Sequence, residues 1–163
     1  MWKKVGVIIL LLFAMGFIFY NSSKTGYDSN KVSSGILNKA ESKVPIKKEV
    51  KSGIKDKLNI TISEEVIIRK LAHMFEFFLL AILVALTLIA FGMNGKSAII
   101  YVLFIVLMYA VLDEFHQIYV PGRTSSVRDV LIDFTGGFLG TICFYCIYLI
   151  LPRLRRSTNN KSC

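Results

Sequence analysis

The chain has 163 residues, 54% of them apolar and 19% charged, with a mean hydropathy of +0.57. That balance excludes a disordered chain, a coiled coil and a small disulfide scaffold, and it is too apolar for one soluble domain. The apolar residues fall in blocks, so the net charge of +9 is better explained by basic loops beside lipid than by nucleic acid.

Four blocks carry no charge: Val5–Ser23, Phe77–Gly95, Ser97–Leu112 and Phe134–Leu151, the last followed by Pro152. A helix needs roughly 20 apolar residues to cross a hydrocarbon core about 30 Å thick. The last three blocks reach that length only by drawing in the charged residues beside them. The expected fold is therefore an all-α membrane protein, a four-span helical bundle with an outward polar chamber. The first block also has the basic start of a signal peptide in Lys3 and Lys4. No small-residue cleavage site follows it, so a retained span is expected.

Orientation follows lysine and arginine placement. Lys3 and Lys4 precede the first span, and Arg153, Arg155, Arg156 and Lys161 follow the last. An even number of spans puts both termini on one side, read here as cytoplasmic in a multi-pass protein of the cell membrane. The expected organisation is a first span over 1–23, an extracytoplasmic lysine-rich segment over 24–62, a three-span core over 63–152 and a basic cytoplasmic tail over 153–163. Within the second segment, Val32, Ile36, Ala40 and Val44, then Ile46, Val50, Ile54 and Leu58, recur every four residues. That spacing fits amphipathic helices on the membrane surface, although a partly ordered linker fits nearly as well. Thr61-x-x-Glu64 reads as a capping box for the second span's helix.

The polar residues of the core form three groups. Arg69, Lys70, His73 and Glu76 open the second span. Asp113, Glu114, His116 and Gln117 close the third. Arg123, Arg128, Asp129 and Asp133 run from the following loop into the fourth. Counting about 1.5 Å per residue from the opposite boundary puts Glu76 about 24 Å, Asp113 about 25 Å and Asp133 about 27 Å across the membrane. Three spans thus place a carboxylate at one level. Ionisable groups at such depth must face the bundle interior or a wet cavity.

Arg69-Lys-x-Ala-His73-x-x-Glu76-Phe77, Asp113-Glu-x-His-Gln117, Pro121-Gly-Arg123 and Arg128-Asp-Val-x-x-Asp133-x-x-Gly136-x-x-x-Gly140 together resemble the VanZ-like family of small membrane proteins. The founding member of that family is associated with low-level teicoplanin resistance. The resemblance implies an envelope protein with a role in low-level glycopeptide resistance. Asp133 stands where family members often carry asparagine, so one negative charge is local to this chain.

Each constellation has two readings. His73, Glu76, Asp113, Glu114 and His116 offer nitrogen and carboxylate ligands for a divalent ion. They equally form a buried polar network, and the near balance of five acids against Arg69, Lys70, Arg123 and Arg128 favours that network, so no metal and no cofactor is expected. Arg123, after a Pro-Gly turn, can grip a phosphate or carboxylate, or fold back onto Asp113 or Glu114. His73, Glu76 and Asp113 have the chemistry of a general acid and base. Ser125 and Ser126 read as turn and cap residues. Cys143 and Cys146 lie near mid-span and read as small packing residues, as do Gly136 and Gly140. The preferred function is binding of an envelope lipid head group, a cell-wall intermediate or a glycopeptide. A membrane-embedded enzyme acting on a phosphate- or lipid-linked substrate is the alternative, and the catalytic reading is the weaker one. The expected partners are the bilayer and such a ligand, with no nucleic acid.

Overall fold

A computed structural model describes residues 2–24, 64–123 and 125–159. The lysine-rich segment with its two amphipathic patterns, and Thr61 of the capping box, lie outside the described residues. Among the described residues there are four helices: α1 (Trp2–Ser22), α2 (Glu64–Ala90), α3 (Gly95–Gln117) and α4 (Val127–Asn159). Each contains a stretch long and apolar enough to cross a membrane: Lys4–Ser22, Val66–Ala90, Gly95–Gln117 and Val127–Ile150. The last three take in the charged residues flanking the apolar blocks, as their lengths require. The chain is thus a multi-pass membrane protein with an all-helical fold. Helix α4 continues through Pro152, where the apolar block ends. A proline removes one backbone hydrogen bond and its ring crowds the carbonyl four residues earlier, which bends a helix without always ending it.

Contacts between helices fix their directions. Gly136 and Gly140 of α4 lie on Met74 and Phe78 of α2, so these two helices run parallel. The Tyr109 hydroxyl of α3 donates to the Met15 carbonyl of α1 at 2.6 Å, and the Ser22 hydroxyl donates to Asp113 at 2.7 Å, so α1 and α3 run parallel. Asn21 meets Glu76 while Lys4 lies 5.1 Å from the Phe91 ring centroid, so α1 and α2 are antiparallel. The start of α1 and the α2–α3 turn therefore share one end of the bundle, and all three polar groups lie at the other.

Helix α3 shows how the sequence builds the core. Its buried residues are Ala98, Val102, Val106, Ala110, Asp113, Glu114 and Gln117. The spacing of three to four is that of one helix face, apolar for four positions and polar for the last three. Phe77, Leu80, Ala81, Val84 and Ala85 of α2 and Ile18 of α1 pack against the apolar part. The opposite surfaces are large and apolar, with Phe13, Phe104 and Leu131 more than half exposed, as helices facing lipid require.

The α2–α4 contact is the tightest in the bundle. A Cβ on Gly136 would overlap the Met74 carbonyl oxygen, and one on Gly140 the Phe78 carbonyl oxygen. A Cβ on Gly137 would strike the Val106 side chain of α3. Lipid tails supply no hydrophobic drive for helix association, so close backbone packing of this kind supplies much of it. At the far end of α2, Gly92 adopts φ +90°, and the N–H groups of Met93 and Gly92 donate to Leu88 and Ile89 at 2.9 Å. These two bonds make a Schellman motif, which only a left-handed residue allows, so Gly92 ends α2 and turns the chain into α3.

Candidate functional site: a charged chamber at one end of the bundle

The chamber is built from helix ends. The first turns of α2 contribute Val66, Arg69, Lys70 and His73, and those of α4 contribute Asp129, Ile132 and Asp133. Glu114 and Gln117 come from the end of α3, and Arg123 from the loop. Together these residues line a cavity of about 190 Å³. Four expected positions are not in its lining: Glu76, Asp113, His116 and Arg128. Arg128 is exposed, because it precedes Asp129 on the helix and so points away. His116 stacks on Phe19, ring centroids 4.2 Å apart, with Nε2 3.0 Å from the Ser23 hydroxyl.

Glu76 and Asp113 stand behind the cavity wall. Asp113 is only 3% exposed. Its Oδ2 accepts from the Ser22 hydroxyl at 2.7 Å and the Gln117 amide at 2.9 Å, while Oδ1 has no hydrogen-bond partner. Glu76 Oε1 accepts from the Asn21 amide at 2.6 Å. Its Oε2 faces His73 Nδ1 at 3.4 Å without a hydrogen bond between them. One ring nitrogen of His73 and one carboxylate oxygen each of Asp113 and Asp133 lie within 4.8 Å of one another. The level of carboxylates counted along the spans is therefore one cluster in space, and Asp133, 3% exposed, is in it.

Loop geometry places Arg123. The Arg123 N–H donates to the Val120 carbonyl at 3.2 Å and Gly122 has φ +75°, so Pro121 and Gly122 form the centre of a type II turn. The guanidinium then reaches the ends of α1 and α3. Nε donates to the Lys24 carbonyl at 3.2 Å, Nη2 to the Asn21 carbonyl at 3.2 Å and Nη1 to the Gln117 amide oxygen at 3.3 Å. Arg123 thereby holds the end of α1 against the end of α3, a role beyond the two expected from its sequence position. Burial and then the nearby Arg69 guanidinium press its pKa below the ordinary arginine value, while Asp113, Glu114 and Glu76 push it back up.

Lys70 and Asp129 form an ion pair across α2 and α4. Glu114 accepts from the Ser126 N–H at 3.0 Å. The Ser126 hydroxyl accepts from the Arg128 N–H at 3.1 Å, so Ser126 caps α4 as expected. Three residues of the cluster, Asn21, Ser22 and Ser23, carry no charge and follow an apolar block, where they read as the exit from a span. The signal that finds them is the depth count applied to α1, whose last turn lies at the level of the carboxylates.

The VanZ/LLP1 family model matches residues 7–150, from the second turn of α1 to the end of the apolar part of α4. The chain belongs to this family. Searches of curated proteins and of solved structures find no match.

Proposed function

We propose that this VanZ-like membrane protein binds the anionic head group of an envelope lipid in the charged chamber, with the chamber opening to the outside of the cell membrane and both termini in the cytoplasm. The observation that carries the reading is the lining itself. Arg69, Lys70, Arg123 and His73 converge with Glu114, Asp129 and Asp133 on one cavity among helices whose outer faces are apolar. Ionisable groups inside a membrane are costly, and those converging on one cavity mark a ligand path. Arg69 offers the planar, bidentate donor set that suits a phosphate.

Size selects among ligands. Drug-sized pockets enclose about 300–1,000 Å³. A cavity of about 190 Å³ suits a phosphate-sized group with a few waters better than an enclosed glycopeptide. Any protection against teicoplanin would then act through an envelope lipid or cell-wall intermediate whose head group sits here, rather than through enclosure of the drug.

Native mass spectrometry of the detergent-purified chain tests this. Anionic phosphatidylglycerol should remain bound where zwitterionic phosphatidylcholine is released, and inorganic phosphate alone should compete weakly. Arg69→Lys, which keeps the charge and loses the planar fork, should lose most of the retained lipid, with abundance read alongside. Equal retention of both lipids would sink the reading. The enzymatic alternative separates in cells: an envelope lipid whose mass changes on expression, and reverts with Glu76→Gln, would mean chemistry rather than binding.

A further inference from the structure

We propose that His73, Asp113 and Asp133 form a binding site for one divalent transition-metal ion, zinc or manganese. The inference shares a chamber with the head-group reading, but rests on different atoms and is tested without any lipid.

The three groups come from three helices, α2, α3 and α4, and present one ligand atom each within 4.8 Å of the others. Atoms bound to a common metal at about 2.1 Å stand roughly 3–4 Å apart, so small side-chain rotations close the set. One imidazole nitrogen with two carboxylates is the donor set of first-row metals. Magnesium and calcium prefer oxygen alone.

An independent observation points to the same place. Asp113 is almost wholly buried, and its two oxygens are treated differently. Ser22 and Gln117 both hold Oδ2, and Oδ1 is buried without a hydrogen-bond partner. A buried polar atom without a partner costs about 1–3 kcal/mol. Metal sites commonly show this asymmetry, in which outer hydrogen bonds hold one carboxylate oxygen and so aim the other at the ion. Beside it, His73 Nδ1 and Glu76 Oε2, 3.4 Å apart, are also buried without hydrogen-bond partners. His73 and Asp133 also line the cavity, so the ion's remaining positions face the chamber. A phosphate oxygen from a head group can occupy one of them.

The test uses the full chain, purified in detergent with a chelator, loaded with zinc or manganese chloride and desalted. Bound metal is then counted by plasma mass spectrometry. Wild type should keep about one ion per chain, and the ion should raise the thermal midpoint by about 5 °C. Asp113→Asn, Asp133→Asn and His73→Gln should each lose most of the bound metal. The double variant Cys143→Ser/Cys146→Ser, which removes the thiols of α4, should keep it. Asp133→Asn guards against misfolding as an explanation, since asparagine keeps the side chain's shape while removing a buried charge, and should leave the metal-free melting temperature unchanged or higher. Wild type without retained metal, or metal that leaves with the cysteines and stays with Asp133→Asn, would overturn the site. Lipid retention by a chain that holds no metal would leave the head-group reading standing alone.

Discussion

The two halves of α3 bury the same face at the same spacing, yet they are held by different forces. Below Ala110, Val102 and Val106 fill space between α2 and α4. Above it, Asp113, Glu114 and Gln117 occupy the same stripe and are held by hydrogen bonds from α1, α3 itself and the α3–α4 loop. In lipid the apolar half gains only packing, because the solvent is as apolar as the core. The polar half gains partners that lipid cannot supply. Packing precision should therefore dominate stability at one end, and completeness of the hydrogen-bond set at the other.

The largest effect should come from the apolar half. Gly136→Leu or Gly140→Leu forces the α2 and α4 backbones apart and should cost on the order of 4 kcal/mol or more, with loss of protein from the membrane. Cys143→Ala, on the same helix, should stay within about 1 kcal/mol. Immunoblots of membranes and melting in detergent read both. Equal abundance of all three variants would break the packing side of the comparison.

Asp113→Ala should follow, at about 2–4 kcal/mol, since it leaves the Ser22 hydroxyl buried without its acceptor and the Gln117 amide with only the Ser22 oxygen at 3.4 Å. Val106→Ala, two turns earlier on the same face, should cost about 1–2 kcal/mol. If detergent melting ranks Val106→Ala above Asp113→Ala, the two ends are held alike. Arg123→Lys comes next, at about 1–2 kcal/mol. Lysine keeps the charge but cannot reach the carbonyls of Asn21 and Lys24 and the Gln117 amide together. Its signature is faster proteolysis near residue 24 with α2–α4 unchanged. Ser22→Ala should be smallest, about 1 kcal/mol, yet still larger than the near-zero effect of Leu12→Ala on the lipid-facing side of the same helix.

The spans and the chamber's charged residues were legible in the sequence because lipid makes charge conspicuous. Arg69, His73 and Glu76 share a helical face, and Asp113 and Asp133 fall at matching depth, so a one-dimensional count predicted a three-dimensional cluster. What stayed hidden was carried by uncharged groups. Asn21 and Ser22 resemble any end of a span, and the backbone carbonyls that receive Arg123 leave no mark in the sequence at all. Arg128 misled for the opposite reason: adjacency to Asp129 in sequence suggested a shared chamber, and the helix turned the two in different directions.

The glycine contact between α2 and α4 also sets the order in which the molecule can be made. These two helices are parallel neighbours separated in the chain by all of α3. Each helix forms on entering the bilayer, before helices meet. Synthesis from the N-terminus delivers α4 last. Until it arrives, Met74 and Phe78 lack the glycines that pack on them and Lys70 waits for Asp129. A ribosome stalled before residue 127 would thus leave in the membrane a chain with exposed polar groups.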